Sequence, residues 1–339
     1  MVKNIYEPIT DIAVLSSRVL EREGFPFSSL TNPANVYDAI VIKIPPNAQS
    51  YSPVFPLFHR SLHEYVSFIN EHQIEKAIII AENIEFVKRC PSLSHLQIIP
   101  ANSVGNGFDF SPLYDLPNLK SLTCNTSYGE QFKYSSAVDY ERIKGVQSLH
   151  IAGRGHLNFN KISTLKSLSV FENKFSDLSE IFTAKSLDSL KIVQCSVKNL
   201  NGIEQSSKMQ CLYLWNNKDL FDINALEAVQ KSLKVLSILN CPKISDFSVL
   251  NKLENLEQLT LYGKNTLPNL SFLKKMKNLR SFGFDMEILD GDLSFCLHLE
   301  NAYCAKGKRH YNLKNKDLPK KRLGTEIGTN GIDIWRRVD

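Results

Sequence analysis

The chain has 339 residues, 43% of them hydrophobic and 22% charged, with a formal net charge of +5. That balance excludes a disordered or collagen-like chain and suits a globular protein of one elongated or two compact domains. No run of about 18 apolar residues occurs, and the acids Glu7 and Asp11 interrupt what would be the apolar core of a secretory signal, so neither a membrane span nor a leader is expected.

Residues 1–73 carry no repeat and form an expected N-terminal α/β cap. "DIAVLSSRVLERE" (11–23) reads as an amphipathic helix, "VYDAIVIKI" (36–44) as a strand, and "FHRSLHEYVSFINEHQ" (58–73) as a second helix with Leu62, Val66 and Ile69 on one face. Proline- and serine-rich stretches such as "IPPNAQSYSPVFP" separate them. His59 and His63 stand at i, i+4, a spacing able to hold a metal, but the pattern is not H-E-x-x-H and His72 lies too far along to complete a set. A solvated helix face is expected there, with no metal and no cofactor.

From Ile74 to about residue 305 the frame L-x-x-L-x-L-x-x-N/C recurs. "LKSLSVFEN" (165–173), "LDSLKIVQC" (187–195), "MQCLYLWNN" (209–217), "LKVLSILNC" (233–241) and "LEQLTLYGK" (256–264) start 22, 22, 24 and 23 residues apart. Weaker copies are "IEKAIIIAE", "LSHLQIIPA", "LPNLKSLTCN" and "VQSLHIAGR" upstream, and "LRSFGFDME" and "LENAYCAKG" downstream. This pattern resembles the leucine-rich repeat family, in the roughly 22-residue bacterial type also seen in internalin-like and phosphatase-regulator-like proteins. The resemblance implies an α/β solenoid with a curved parallel sheet on its concave side and short helical or 3₁₀ turns on its convex side. It also implies a protein-binding function.

The frame has a physical reading. Successive strand residues face opposite sides, so Leu187, Leu190 and Ile192 share an interior and the residues between them look outward. One repeat cannot bury that face alone, so neighbours stack. The resemblance gives the ninth position the task of satisfying the backbone of adjacent turns, matched here by Asn173, Cys195, Asn217 and Cys241; Arg154 and Lys264 depart from it, which predicts an interrupted ladder at both. Leu220, Ile223, Leu226, Ile244, Phe247, Leu250 and Leu253 read as the core residues of the following turns.

At the seventh position, expected to face solvent, stand Ala152, Phe171, Val193, Trp215, Leu239, Tyr262 and Asp285. Five consecutive apolar residues would make a stripe about 20 Å long, and half-exposed side chains of this size would leave roughly 400 to 500 Å² of apolar surface. Tyr213 thickens its middle, with Lys191, Glu172 and Asp285 as a possible rim. The other outward positions, Ser167, Ser169, Ser189, Cys211, Ser237, Asn240, Gln258 and Thr260, are neutral, which disfavours a phosphate backbone and favours a protein partner. Replacement of Trp215, Tyr213 or Tyr262 by Ala is expected to weaken capture of that partner with little effect on stability.

Residues 306–322, "KGKRHYNLKNKDLPKKR", hold eight Lys or Arg against the single acid Asp317, a balance of +7 that leaves about −2 for the rest of the chain. Residues 306–339 are thus a basic C-terminal cap or tail, and the alternative function is a scaffold or nucleic-acid-associated protein acting through this segment. Seven cysteines without C-x-x-C spacing indicate free thiols in a reducing compartment, hence a cytoplasmic location. No nucleophile elbow or phosphate-binding glycine loop occurs, so the chain is expected to be non-catalytic, without a small-molecule substrate. The family resemblance suggests, for a short unsecreted member, an immunity-type inhibitor of a toxin.

Overall fold

The computed structural model of the protein describes residues 61–101, 107–125, 138–153, 156–181 and 187–320, together with the strand segments 8–9, 12–15, 39–44, 323–327 and 333–337. The chain divides into two units, residues 1–165 and 166–339.

In the first unit, β1 (Pro8–Ile9) pairs antiparallel with β2 (Ile12–Leu15), and β2 antiparallel with β3 (Ala39–Ile44). The helix expected from Asp11 therefore begins instead as a strand. Ile12 and Val14 are β-branched, and pairing of Val14 with Ile40 and Leu15 with Ala39 overrides the weak helical periodicity of this run. β3 pairs parallel with β4 (Lys76–Ala81), followed by β5 (His95–Pro100), β6 (Ser121–Asn125) and β8 (Ser148–Ala152). Parallel pairing thus reaches upstream of Ile74. A second, two-stranded parallel sheet joins β7 (Val138–Asp139) to β9 (His156–Leu157).

Helix α1 (Leu62–Glu71) starts at a capping box: Glu64 N–H donates to Ser61 Oγ at 3.3 Å, and Ser61 N–H donates to Glu64 Oε2 at 2.7 Å. Its buried residues are Tyr65, Phe68 and Ile69 rather than the expected Leu62, Val66 and Ile69. The two aromatic rings offer more apolar area than Val66, so the helix turns them inward and leaves Leu62 and Val66 half-buried.

The second unit is a parallel sheet of β10 (Ser167–Phe171), β11 (Ser189–Val193), β12 (Cys211–Trp215), β13 (Val235–Leu239), β14 (Gln258–Tyr262), β16 (Ser281–Phe284) and β18 (Asn301–Cys304). Neighbours pair in the register of the sequence repeat: Leu168 opposite Leu190, Leu190 opposite Leu212, Leu212 opposite Leu236, Leu236 opposite Leu259. The short β15 (Thr266–Leu267) and β17 (Glu287–Ile288) also pair parallel, and β19 (Leu323–Ile327) and β20 (Asp333–Arg337) form an antiparallel pair.

Between strands the chain makes short 3₁₀ helices, such as 224–229, 248–252 and 271–275, whose Leu226, Leu250 and Leu273 are fully buried. Leu220, Ile223, Ile244, Phe247 and Leu253 join them in the core, as the apolar pattern predicts. Roughly twenty residues per repeat must supply a strand and a return to the next strand, which leaves room for a turn or two of helix and no more.

Candidate functional site

Leu190, Ile192, Leu212, Leu214, Leu236 and Ile238 are 0% exposed, so strand alternation places the residues between them on the outward face. The parallel register then aligns Phe171, Val193, Trp215, Leu239 and Tyr262 side by side across β10 to β14. The predicted stripe is a contiguous column, but less of it meets solvent than expected. Val193 is only 5% exposed, and the other four are half-buried.

Trp215 is not a bare handle. Its indole N–H donates to Ser237 Oγ at 3.0 Å, the Lys191 ammonium lies 3.8 Å from its ring centroid, and Tyr213 meets it edge-on at 5.9 Å. Lys191 also lies 5.7 Å from the Phe171 ring, so it sits among the aromatics rather than on a rim. Asp285 likewise has structural duties: it accepts a hydrogen bond from Gly263 N–H and pairs with Lys306 at 2.6 Å. Glu172 is exposed in the turn beyond Phe171.

The outward positions nearest the strand starts are not solvated. Ser189, Cys211, Val235 and Gln258 are all under 9% exposed, and Tyr213 packs against the Cys211–Val235 pair. Strands about 4.8 Å apart let each large outward side chain cover its smaller neighbours, which a position-by-position reading overlooks. Tyr262 reaches across to the next strand, where its hydroxyl fills the space a side chain at Gly283 would take. Beyond Gly283, Tyr303 is 46% exposed, more open than any residue of the predicted stripe. Its sequence signal is the fifth, outward-facing position of "LENAYCAKG" (299–307).

In the first unit the outward positions of β4, β5 and β6 are closed, while those of β8 are half-buried. Lys76, Ile78, His95, Gln97, Ile99 and Thr123 are all under 9% exposed. Ser94 Oγ lies 2.8 Å from His95 Nδ1, and burial, with Lys76 and Lys120 nearby, pushes the imidazole pKa down to about 4.

Two further columns hold the strand ends together. At the eighth position Glu172, Gln194, Asn216 and Asn240 have φ between 50° and 56°, a left-handed turn that the frame did not announce. Their N–H groups donate to the carbonyls of Val193, Trp215, Leu239 and Tyr262, extending each ladder by one bond. At the ninth, Asn217 is 0% exposed; its Oδ1 accepts from Cys195 N–H and its Nδ2 donates to Ile192 O, both at 3.0 Å. At Lys264 the ladder is interrupted, as expected: Asn265, one residue later, donates through Nδ2 to the carbonyls of Cys241 and Ile244 at 3.1 and 2.7 Å rather than to the strand carbonyl of Ile238. Arg154 and His59 lie outside the described residues, and His63 is exposed. Among the described residues no cluster of three His, Cys, Asp or Glu could hold a metal, and no helix is long and apolar enough to cross a membrane.

Part of the basic segment is engaged, through Lys306, Lys308 and Lys320. Lys306 and Lys308 pair with Asp285 and Glu287, one repeat earlier, at 2.6 and 3.1 Å. Tyr311 Oη accepts from Ile288 N–H, and Asn312 Oδ1 from Leu293 N–H. Along the edge of β18, Ala302 N–H donates to Pro319 O at 2.9 Å, Lys320 Nζ donates to Ala302 O at 2.6 Å, and Cys304 N–H donates to Asn315 Oδ1 at 3.0 Å. Lysines committed to these contacts seat the segment on the last repeat.

No protein-family model and no curated protein matches the chain. Among solved structures, it is similar to an internalin of Listeria monocytogenes at 16% identity, covering 70% of this chain and 76% of that one, with a TM-score of 0.43. It is also similar to internalin C2 of the same organism (20% identity, 52% and 74% covered, TM-score 0.38) and to a leucine-rich repeat protein of Leptospira interrogans (12% identity, 74% and 82% covered, TM-score 0.37). With one parallel strand per repeat, leucines inward and Cys195, Asn217 and Cys241 closing the turns of the central repeats, the chain has the fold of a leucine-rich repeat protein.

Proposed function

We propose that this protein is a non-catalytic binding module that captures a protein partner on the outward face of β10 to β14. The observation that carries the reading is the aligned column Phe171, Val193, Trp215, Leu239 and Tyr262, thickened by Tyr213, on a face whose strand residues include a single cation, Lys191, and no acid. Aromatic residues held rigidly by neighbours lose little entropy on binding, so Trp215 and the tyrosines are the groups expected to dominate the energy. Inhibition of a toxin, as an immunity protein, is the specific form of this function we favour, and a cytoplasmic location is consistent with the seven buried thiols. Lys306, Lys308 and Lys320 are engaged within the chain, which weighs against the alternative of nucleic-acid or scaffold binding through that segment, although Arg309, Lys314 and Lys316 are exposed.

The test is partner capture from a lysate of the source cell, with Tyr213→Ala, Trp215→Ala and Tyr262→Ala compared with Leu226→Ala. The first three should lower affinity for the captured protein at least tenfold. Leu226→Ala, a change in the buried 3₁₀ turn, should lower the melting temperature and leave affinity intact. Because Trp215 holds a hydrogen bond and a stacked cation, its truncation should also cost about 2 kcal/mol of stability, contrary to the sequence expectation. Unchanged capture by all three face variants would remove the reading. An affinity that collapses between 50 and 200 mM salt would favour the basic segment instead.

A further inference from the structure

The aromatic column has a charged border on one side only. Strands β10 to β14 end at Phe171, Val193, Trp215, Leu239 and Tyr262, and within five residues past those ends each repeat carries one lysine: Lys174, Lys198, Lys218, Lys243 and Lys264. All five are exposed. The acids of the same stretches are Glu172 and Asp219, so five lysines against two acids leave +3, and Asp219 is already taken by Lys243 at 2.7 Å. Lys174, Lys218 and Lys264 pair with no acid among the described residues. At the opposite ends, the residues before the five strands are Lys166, Asp188, Gln210, Lys234 and Glu257, whose charges cancel, and Lys234 pairs with Glu257 at 3.1 Å.

We propose that this face takes an acidic amphipathic helix of the partner, laid across the strands with its apolar stripe on the column and its carboxylates along the lysine border. The inference rests on the binding-face reading above and names the occupant. Charge selects an acidic one, because unpaired lysines recur beside the column and no acid stands among the outward strand residues. Period selects a helix. Strands recur about every 4.8 Å and a helix returns the same side about every 5.4 Å, so one turn meets each repeat, and residues at i, i+3, i+7 and i+10 follow the column. An extended segment returns the same side only about every 6.6 Å, and on a face of side chains it finds no strand edge for its own N–H and C=O groups. A helix bonds those groups internally. Nucleic acid would suit the lysines but not the rings: Lys191 lies 3.8 Å from the Trp215 ring centroid, Tyr213 meets the indole edge-on, and Tyr262 leans over Gly283. Rings committed to neighbours in this way are not open platforms for stacked bases.

The probe is a synthetic peptide of about 18 residues with leucine at i, i+3, i+7, i+10 and i+14 and glutamates along one flank, titrated against the full chain by fluorescence anisotropy. Saturable binding is expected below about 100 µM, at least tenfold weaker when the glutamates are replaced by lysines or when a proline on the outer side breaks the helix. Lys174→Glu, Lys218→Glu and Lys264→Glu together should weaken binding at least tenfold and leave the melting temperature in place. Arg309→Glu, Lys314→Glu and Lys316→Glu, the same change in net charge on exposed residues of the basic segment, should change it less than twofold. If the first triple variant fails to fold, Lys174→Gln, Lys218→Gln and Lys264→Gln takes its place, with at least a threefold loss expected. Absence of saturable binding, equal losses in the two triple variants, or full affinity for the proline peptide overturns the inference, as does displacement of the peptide by a lower concentration of oligothymidylate. The face itself is judged separately: a captured partner that is lost with Trp215→Ala but indifferent to the lysine triple keeps the binding face and removes the acidic helix.

Discussion

Asn217 is fully buried, and its amide joins two adjacent turns through one accepted and one donated hydrogen bond. Replacing it with Ala strands Cys195 N–H and Ile192 C=O in the interior, which costs about 2 to 4 kcal/mol. Urea denaturation should show that loss, and a change below about 0.5 kcal/mol would mean that water or a shifted turn replaces the amide. This role was legible because the residue type recurs at a fixed place in the frame. The role of Trp215 was not: Ser237 stands 22 residues on and Lys191 one strand back, and only pairing of three strands brings them to one indole. Cysteine positions repeat the lesson. All seven thiols are free and buried, and burial raises Cys195 and Cys241 to about 11 and Cys211 to about 12, so they serve as small core side chains rather than nucleophiles.

The unit of construction is a strand, a left-handed turn and a 3₁₀ turn, and the last of these has a sequence signal that the leucine frame obscured. Asp109, Asp139, Asp177, Asn199, Asp222, Asp246, Asn269 and Asp292 each accept a hydrogen bond from the N–H two residues on, at 2.7 to 3.2 Å. The triplets "DFS", "DLS", "DIN" and "NLS" are the visible trace of these Asx turns. Asp222→Ala should cost about 1 kcal/mol, whereas Asp222→Asn should be close to neutral because Asn199 and Asn269 already perform the task. Thermal melts of the two variants check this, and equal losses would implicate the charge instead. Ion pairs follow the repeat as well. Asp219 with Lys243, Glu227 with Lys252, Lys234 with Glu257 and Arg280 with Glu300 all join successive repeats, at 2.6 to 3.1 Å. Charges one repeat apart in sequence become neighbours once strands stack, so this pairing was implicit in the period.

At the scale of the molecule, two buried histidines make stability depend on pH. In the first unit His95 is enclosed beside Ser94, and His156 accepts at Nδ1 from Tyr140 Oη at 2.8 Å while Nε2–H donates to Ala152 O at 3.1 Å. Burial lowers both pKa values from 6.5 to about 4, so between those limits the unfolded chain binds more protons than the folded one. Their contribution is complete above pH 6.5 and is lost as pH falls through 4, by about 3 kcal/mol for each. Denaturation midpoints measured from pH 7 to 4 should fall, and His95→Gln should flatten part of that slope. A slope unchanged in His95→Gln would place the titration elsewhere.

The sequence by itself determined the repeat, its period, the inward leucines, the Asn and Cys turn positions and the order of outward residues, because each follows from local alternation and a frame that recurs about every 22 residues. Tertiary structure alone decided how much of the outward face is open. It buried Val193 in the second unit and covered Ile78 and Gln97 in the first. It occupied Trp215 with Lys191 and Ser237, and it turned the basic segment onto the edge of β18. The physical reason is common to all of these: alternation fixes the direction of a side chain, but its exposure depends on neighbours a whole repeat or more away.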